Sequence, residues 1–118
     1  MADENGEFAR VRDLVRVFVD ERDWDQFHTP KNLSSALSVE AAELLEHFQW
    51  LQHGRIDELG PEKLVQVRHE MADVLVYLVR LADKLDMDRW LNLWKRARAS
   101  EDGPQNFATD CRRADGSS

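Results

Sequence analysis

The chain of 118 residues has little of what marks secreted, membrane-embedded or β-rich proteins. Its single cysteine, Cys111, excludes an internal disulfide, so a reducing, cytoplasmic location is expected. Five glycines, three prolines and the scarcity of alternating strand patterns favour an all-α fold. No apolar run approaches the roughly 20 residues of a membrane span, and the acidic first residues do not resemble a signal peptide.

Positive charge is also scarce, since the formal net charge is −7. General nucleic-acid binding requires a basic surface, so it is not expected here. A phosphate ligand stays compatible with this charge, because bridging metal ions can invert it locally. The hydrophobic content of 42% is enough for the core of one domain.

Apolar residues recur at helical spacing along most of the chain. The pattern predicts helices over about 7–22, 61–85 and 88–99, and another that begins at Asn32 or Ser34 and ends near His53, before Gly54. Pro61 suits the first position of the third helix. A four-helix-bundle-type domain over residues 1–100 follows, with a loosely ordered tail over 101–118 that is rich in small and polar residues.

Two acidic motifs stand out within the second and third predicted helices. Glu40 and Glu43 are three residues apart, as are Glu70 and Asp73, so each pair lies on one face of its helix. Such pairs are commonly solvated. Here they interrupt apolar faces of long helices, where unpaired carboxylates would be costly. A solvated face and a metal site are both consistent with the spacing.

If a metal binds, the ligand types indicate which one. These helices contain no Glu-x-x-His motif, which bundle di-iron sites use. An all-oxygen ligand set favours Mg²⁺ or Mn²⁺ over iron or zinc. Mg²⁺ typically shares its ligands with substrate phosphates, so a triphosphate would complete the site.

Aromatic residues accompany these acids. Trp24 and Phe27 lie in a polar connector, and Trp50 follows the acidic stripe of the second helix. They are either core residues or a stacking surface for a base, a contact that contributes about 1–3 kcal/mol per base. In the same connector, His28 is either a base contact or a residue that binds backbone.

Four further side chains have two readings each. Tyr77 either offers its hydroxyl to a phosphate or packs in the core. Lys31 and Arg80 either neutralise phosphate or lie solvated on the surface. His47 either orients the carboxylate of Glu43 or is exposed, and exposure is the expectation.

The acidic motifs, separated by residues 44–69, resemble the metal motif of the all-α nucleoside triphosphate pyrophosphohydrolases, the MazG-like superfamily. The segments 22–33, 46–50 and 73–78 look similar to its deoxycytidine triphosphate branch. The resemblance covers roughly residues 7–90 and implies hydrolysis of a nucleoside triphosphate between the α and β phosphates. It also implies a homodimer or homotetramer, whose bundle is completed by oligomerisation.

The resemblance further implies roles for particular residues. Glu40, Glu43, Glu70 and Asp73 would hold Mg²⁺, and Glu46 would either ligate a second metal or orient the attacking water. In such metal-assisted hydrolysis, Glu43 or Glu46 could take the proton of that water. The implied substrate-binding residues are Trp24, His28, Lys31, Asn32, Trp50 and Tyr77.

The chain departs from the family pattern in two places. Basic residues follow Lys95, without the Asn and Tyr-Pro that are usual there, and Val15 stands where some members that hydrolyse dCTP have histidine. The expected function is Mg²⁺-dependent hydrolysis of dCTP or a modified dCTP. The alternatives are a non-catalytic nucleotide-binding or interaction protein of the same fold, and a plain helical oligomerisation module.

Overall fold

The structure is a computed structural model that describes residues 6–100, apart from the side chains at 88 and 97–100. Its α-helices are α1 (Glu7–Glu21), α2 (Pro30–Glu46), α3 (Pro61–Lys84) and α4 (Met87–Ser100). Two short 3₁₀ turns, Asp25–Phe27 and Ile56–Glu58, lie in the connections. The described part of the chain contains no strand, which confirms the all-α fold. No helix in it is both long and apolar enough to cross a membrane.

Helix α1 matches its predicted range to within a residue, and an aspartate lies two residues beyond its end. Asp23 has a φ of 53°, the left-handed conformation that commonly terminates helices. Asp is among the residues that tolerate it, because a short polar side chain forms local hydrogen bonds. The backbone N–H groups of Asp23 and Trp24 donate to the carbonyls of Asp20 and Val19, at 3.2 and 3.1 Å. This turn directs the chain into the connector.

Helix α2 begins earlier than predicted. Its N-cap is Thr29, whose hydroxyl accepts a hydrogen bond from the backbone N–H of Asn32 at 3.2 Å. Pro30 occupies the first helical turn, where its missing N–H costs nothing. The predicted starts at Asn32 or Ser34 were therefore wrong, because Pro30 was assigned to the connector when it opens the helix.

The same helix also ends earlier, at Glu46 instead of near His53. Apolar residues continue the helical spacing, but the backbone tightens into turns, with the N–H of Phe48 donating to Leu45 at 2.9 Å. The loop that follows is organised by Glu58, whose carboxylate accepts from the N–H groups of His53 and Arg55, at 3.1 and 2.8 Å. These backbone hydrogen bonds lower the pKa of Glu58.

Helix α3 packs against both preceding helices. Its Val79 forms a core cluster with Val15 and Val19 of α1. Toward α2, contacts that rise along one helix fall along the other: Glu40 approaches Glu70, and His47 approaches Lys63. Helices α2 and α3 are therefore antiparallel, which brings the two acidic motifs to the same level.

The described chain divides into two units after Leu85, and α4 belongs to the second. Asp86, with a φ of 55°, ends α3 in the same manner as Asp23 ends α1. Helix α4 carries Trp90, Leu91 and Trp94, all of which are exposed. The predicted tail over 101–118 lies outside the described residues, and the domain boundaries stay a prediction.

Candidate metal and nucleotide site

Three carboxylates meet between α2 and α3. Glu40, Glu43 and Glu70 are half-buried, and each offers one oxygen atom that lies within 4.8 Å of the other two. The i, i+3 spacing sets the first two on one face of α2. The antiparallel partner helix supplies the third. Such a group can hold a metal ion, although exposed acids also cluster without one.

The pKa of Glu40 shows the effect of placing these carboxylates close together. This pKa is raised to about 7, first by burial and then by a hydrogen bond with Glu70 and the charges of Glu43 and Asp73. A raised pKa means that the cluster is short of positive charge and retains a proton in compensation. A hard divalent cation with oxygen ligands would replace that proton, so the residues present fit Mg²⁺.

The other two predicted acids lie at the margin of the cluster. Asp73 is exposed, one turn beyond Glu70, and its charge contributes to the raised pKa of Glu40. Glu46 is exposed and is the last residue of α2. Their assigned roles stay predictions, and three of the four predicted ligands are brought together.

One neighbour of the cluster was misjudged from the sequence. His47 was expected to be exposed, but it is half-buried, with Nε2 lying 3.8 Å from Oε1 of Glu70. Its Nδ1 lies 3.4 Å from Nζ of Lys63. The signal was present, because His47 follows Glu43 by four residues and so lies on the same face of α2. The carboxylate beside it belongs to α3, which spacing within α2 does not reveal.

The connector between α1 and α2 presents aromatic surface. The rings of Phe18 and Trp24 meet edge to face, with centroids 5.5 Å apart. The guanidinium of Arg22 lies over the Phe18 ring at 3.5 Å, a cation–π contact. The Trp24 ring is 6.4 Å from the imidazole of half-buried His28. Trp24 itself keeps 42% of its surface exposed, enough for a planar ligand to reach it.

The connector is attached to α3 through Arg80. This side chain is buried and donates from Nε to Nδ1 of His28 at 3.2 Å, and from its terminal nitrogens to Asp25 and Asp83. Lys84 also donates to Asp25, at 2.6 Å. Arg80 was weighed as a phosphate neutraliser or a solvated side chain, and the structure instead shows it in an internal ion-pair network. Lys84 and then Arg80 lower the pKa of Asp25, and Arg16, followed by Arg80, lowers the pKa of Asp83.

The remaining predicted substrate-binding residues are more dispersed. Trp50 is 87% exposed, in the turns after α2, and contacts no other aromatic ring of the described residues. Tyr77 is half-buried, one turn beyond Asp73, and Lys31 is exposed. The amide of Asn32 donates to the backbone carbonyl of Phe27 at 3.0 Å, so this side chain closes the connector onto α2. Their contacts with a substrate stay predictions.

These features define an all-helical protein with a carboxylate site between antiparallel helices. A sequence model described as the MazG-like family matches residues 35–90. The crystal structure of a pyrophosphatase from Archaeoglobus fulgidus is similar, with 33% sequence identity, a TM-score of 0.60, and coverage of 86% of this chain and 98% of that one. The chain belongs to the MazG-like family, which confirms the resemblance.

The chain is also similar to curated proteins named dCTP pyrophosphatase 1. The chain is 44% identical over 80 residues to human dCTP pyrophosphatase 1 and 42% identical over 83 residues to the Mus musculus protein of the same name. Each match includes 66% of this chain and 47% of the relative. The chain thus spans about half the length of the curated relatives it matches.

Proposed function

We propose that the protein hydrolyses a deoxynucleoside triphosphate, dCTP or a modified dCTP, to the monophosphate and pyrophosphate. The observation that carries this proposal is the convergence of Glu40, Glu43 and Glu70 within 4.8 Å, from two helices of a MazG-like chain. The names of the curated relatives support both the reaction and the substrate, and the name of the Archaeoglobus fulgidus neighbour supports the reaction.

The carboxylate cluster would hold Mg²⁺, with Mn²⁺ as the alternative, and Asp73 would join the three converging acids as a ligand. When bound, the ion would neutralise phosphate charge and make a water molecule more acidic. Glu43 or Glu46 would accept the proton of that water. The water then attacks the α-phosphorus, the bond from that phosphorus to the bridging oxygen breaks, and pyrophosphate leaves.

The base would be held at the connector, about two helical turns from the acids. Asp73 and Arg80, which anchors the connector, are seven residues apart on α3, a rise of about 10 Å. Trp24 would stack on the base and His28 would contact its edge. Trp50 lies beyond the opposite end of α2 and is kept as a substrate-binding residue without an assigned contact. Lys31, Asn32 and Tyr77 would line the path to the phosphates.

A homo-oligomer, either dimer or tetramer, forms part of the proposal. On α3, Met71, Leu75 and Leu78 recur at spacings of four and three residues and are 54, 50 and 48% exposed. Such a stripe is typical of a helix face that packs against another helix. Light scattering after size-exclusion chromatography should give a mass that is a multiple of 13.8 kDa. Leu75→Glu should reduce the measured mass, and a monomeric wild type would exclude the proposed oligomer.

The activity is tested by incubating the full chain with each of the four dNTPs, with Mg²⁺ and with EDTA, and measuring pyrophosphate. We expect Mg²⁺-dependent release, fastest from dCTP, that Glu43→Gln abolishes. Glu21→Gln, at an exposed acid of α1, is the matched control and should retain activity. Folded wild-type protein that releases pyrophosphate from none of the four would refute the proposal.

A further inference from the structure

Arg80 is the one charged side chain that is fully buried among the described residues, with a relative exposure of 6%. The proposed hydrolysis does not use it. Its terminal nitrogens are occupied by Asp25 and Asp83, and the latter carboxylate is also bound by Arg16 at 2.5 and 2.7 Å. The guanidinium is therefore held in place from both sides, which fixes the direction of its remaining donor.

The Nε–H group of Arg80 donates to Nδ1 of His28 at 3.2 Å. An arginine side chain has donors only and stays protonated, so Nδ1 must be the acceptor. A neutral imidazole that accepts at Nδ1 carries its proton on Nε2. Burial, and then the charges of Arg80 and Lys84, lower the pKa of His28, which keeps the ring neutral near pH 7.

The other ring nitrogen of His28 has no hydrogen-bond partner among residues 6–100. The Nε2–H group is therefore a hydrogen-bond donor without an acceptor, on a ring whose centroid lies 6.4 Å from that of Trp24. A base stacked at Trp24 would be read by such a donor along its Watson–Crick edge. A donor directed at N3 meets an acceptor in cytosine, whereas N3 of thymine and uracil carries a hydrogen and would oppose the donor.

We propose that Arg80 is a positioning residue for base selection, which holds His28 as an Nε2–H donor and so favours cytosine over uracil and thymine. The proposal rests on the proposed function for its substrate. It assigns to the ion-pair network a role in discrimination, beyond its role in attaching the connector to α3. A merely structural role would affect all nucleotides equally.

The tautomer is tested without any activity, by ¹⁵N–¹H correlation spectra of the histidines in the full-length protein, with His28 assigned through His28→Phe. We expect the wild type to show a neutral ring protonated at Nε2. Arg80→Met should give a mixture of tautomers, whereas the control Arg10→Met, which removes an exposed guanidinium of α1 that is paired with Glu7, should leave the ring unchanged. A wild-type ring protonated at Nδ1 would overturn the inference.

The selection is tested by the ratio of kcat/KM for dCTP to that for dUTP, with Mg²⁺ present. An opposed donor costs about tenfold to a hundredfold, so Arg80→Met should lower the ratio about tenfold, and Arg10→Met should preserve it. If Arg80→Met does not fold, Arg80→Lys provides the test, because it keeps a cation for Asp25 and Asp83 and lacks the Nε–H donor. An equal loss for both nucleotides would overturn the inference and leave the proposed function intact; failure of the wild type on every dNTP would refute the function itself.

Discussion

Replacing Glu40 with glutamine should stabilise the metal-free protein at pH 8 and remove its response to Mg²⁺. The carboxylate of Glu40 lies within 4.8 Å of two others, so without a cation it contributes repulsion. Glutamine has nearly the same shape and no charge. The same substitution removes a ligand oxygen, so two effects of opposite sign arise from one change.

The magnitude follows from the distance. Two unit charges 4.8 Å apart repel by about 0.9 kcal/mol in water and about 3.5 kcal/mol at an effective dielectric constant of 20. Because the carboxylates are half-buried, their repulsion is closer to the value in water than to the value at a dielectric constant of 20, and we take about 1 kcal/mol per pair. Glu40 forms two such pairs, and Glu40→Gln should therefore gain about 2 kcal/mol, or about 8 °C in Tm for a domain of this size.

The pH dependence has a definite sign. The pKa of Glu40 is about 7 in the folded state against an ordinary value of 4.5, so the folded state binds more protons between these values. Without metal, the contribution of Glu40 to the free energy of unfolding should be greatest below pH 4.5 and should fall as pH rises to about 7. Mg²⁺ competes with the proton, so its stabilising effect should grow over the same range and level off above it.

Thermal unfolding of both proteins at pH 5 and pH 8, with Mg²⁺ and with EDTA, measures these effects. At 100 times its dissociation constant, Mg²⁺ should stabilise the wild type by about 2.7 kcal/mol at pH 8, and Glu40→Gln far less. Glu62→Gln, at an exposed acid in the first turn of α3, should behave as the wild type. A metal-free Glu40→Gln protein less stable than the wild type at pH 8 would refute the account of the cluster.

Two further predictions concern the helices that position the site. In a urea titration, Leu33→Ala should lower the free energy of unfolding by about 2–5 kcal/mol, because the side chain is 1% exposed and its loss leaves a cavity. The control Ile56→Ala, at a 70% exposed position, should change it by no more than about 0.5 kcal/mol. Equal losses for the two variants would contradict the assigned core. Thr29→Ala should lower the free energy of unfolding by about 1 kcal/mol through loss of the N-cap of α2. Thr29→Ser keeps the hydroxyl and should retain most of that stability, and an unchanged stability of Thr29→Ala would exclude the cap.

The helical architecture was predictable because the apolar spacing is regular. The ends of α1 and α3 were found to within a residue, since a proline and clear changes of pattern mark them. Both ends of α2 were misplaced. The apolar periodicity continues past Glu46, although the backbone tightens into turns there, and the following loop is organised by Glu58.

The candidate site was predictable in part. The i, i+3 spacing identified the acids, and antiparallel packing brought Glu40, Glu43 and Glu70 together. The network around Arg80 was not predictable, because Asp25 is 55 residues distant in sequence and only the tertiary fold brings the two together. Spacing reports which residues share a helix face, whereas the partners across helices depend on the packing.

The central claim is that this MazG-like chain uses its carboxylate site to hydrolyse dCTP at the α-phosphorus. The most direct measurement is product analysis of dCTP turned over with Mg²⁺ in ¹⁸O-labelled water, by chromatography and ³¹P NMR. The account predicts equal amounts of dCMP and pyrophosphate, with the label in dCMP alone. Formation of dCDP and phosphate, label in pyrophosphate, or no turnover of dCTP by the folded protein would contradict it.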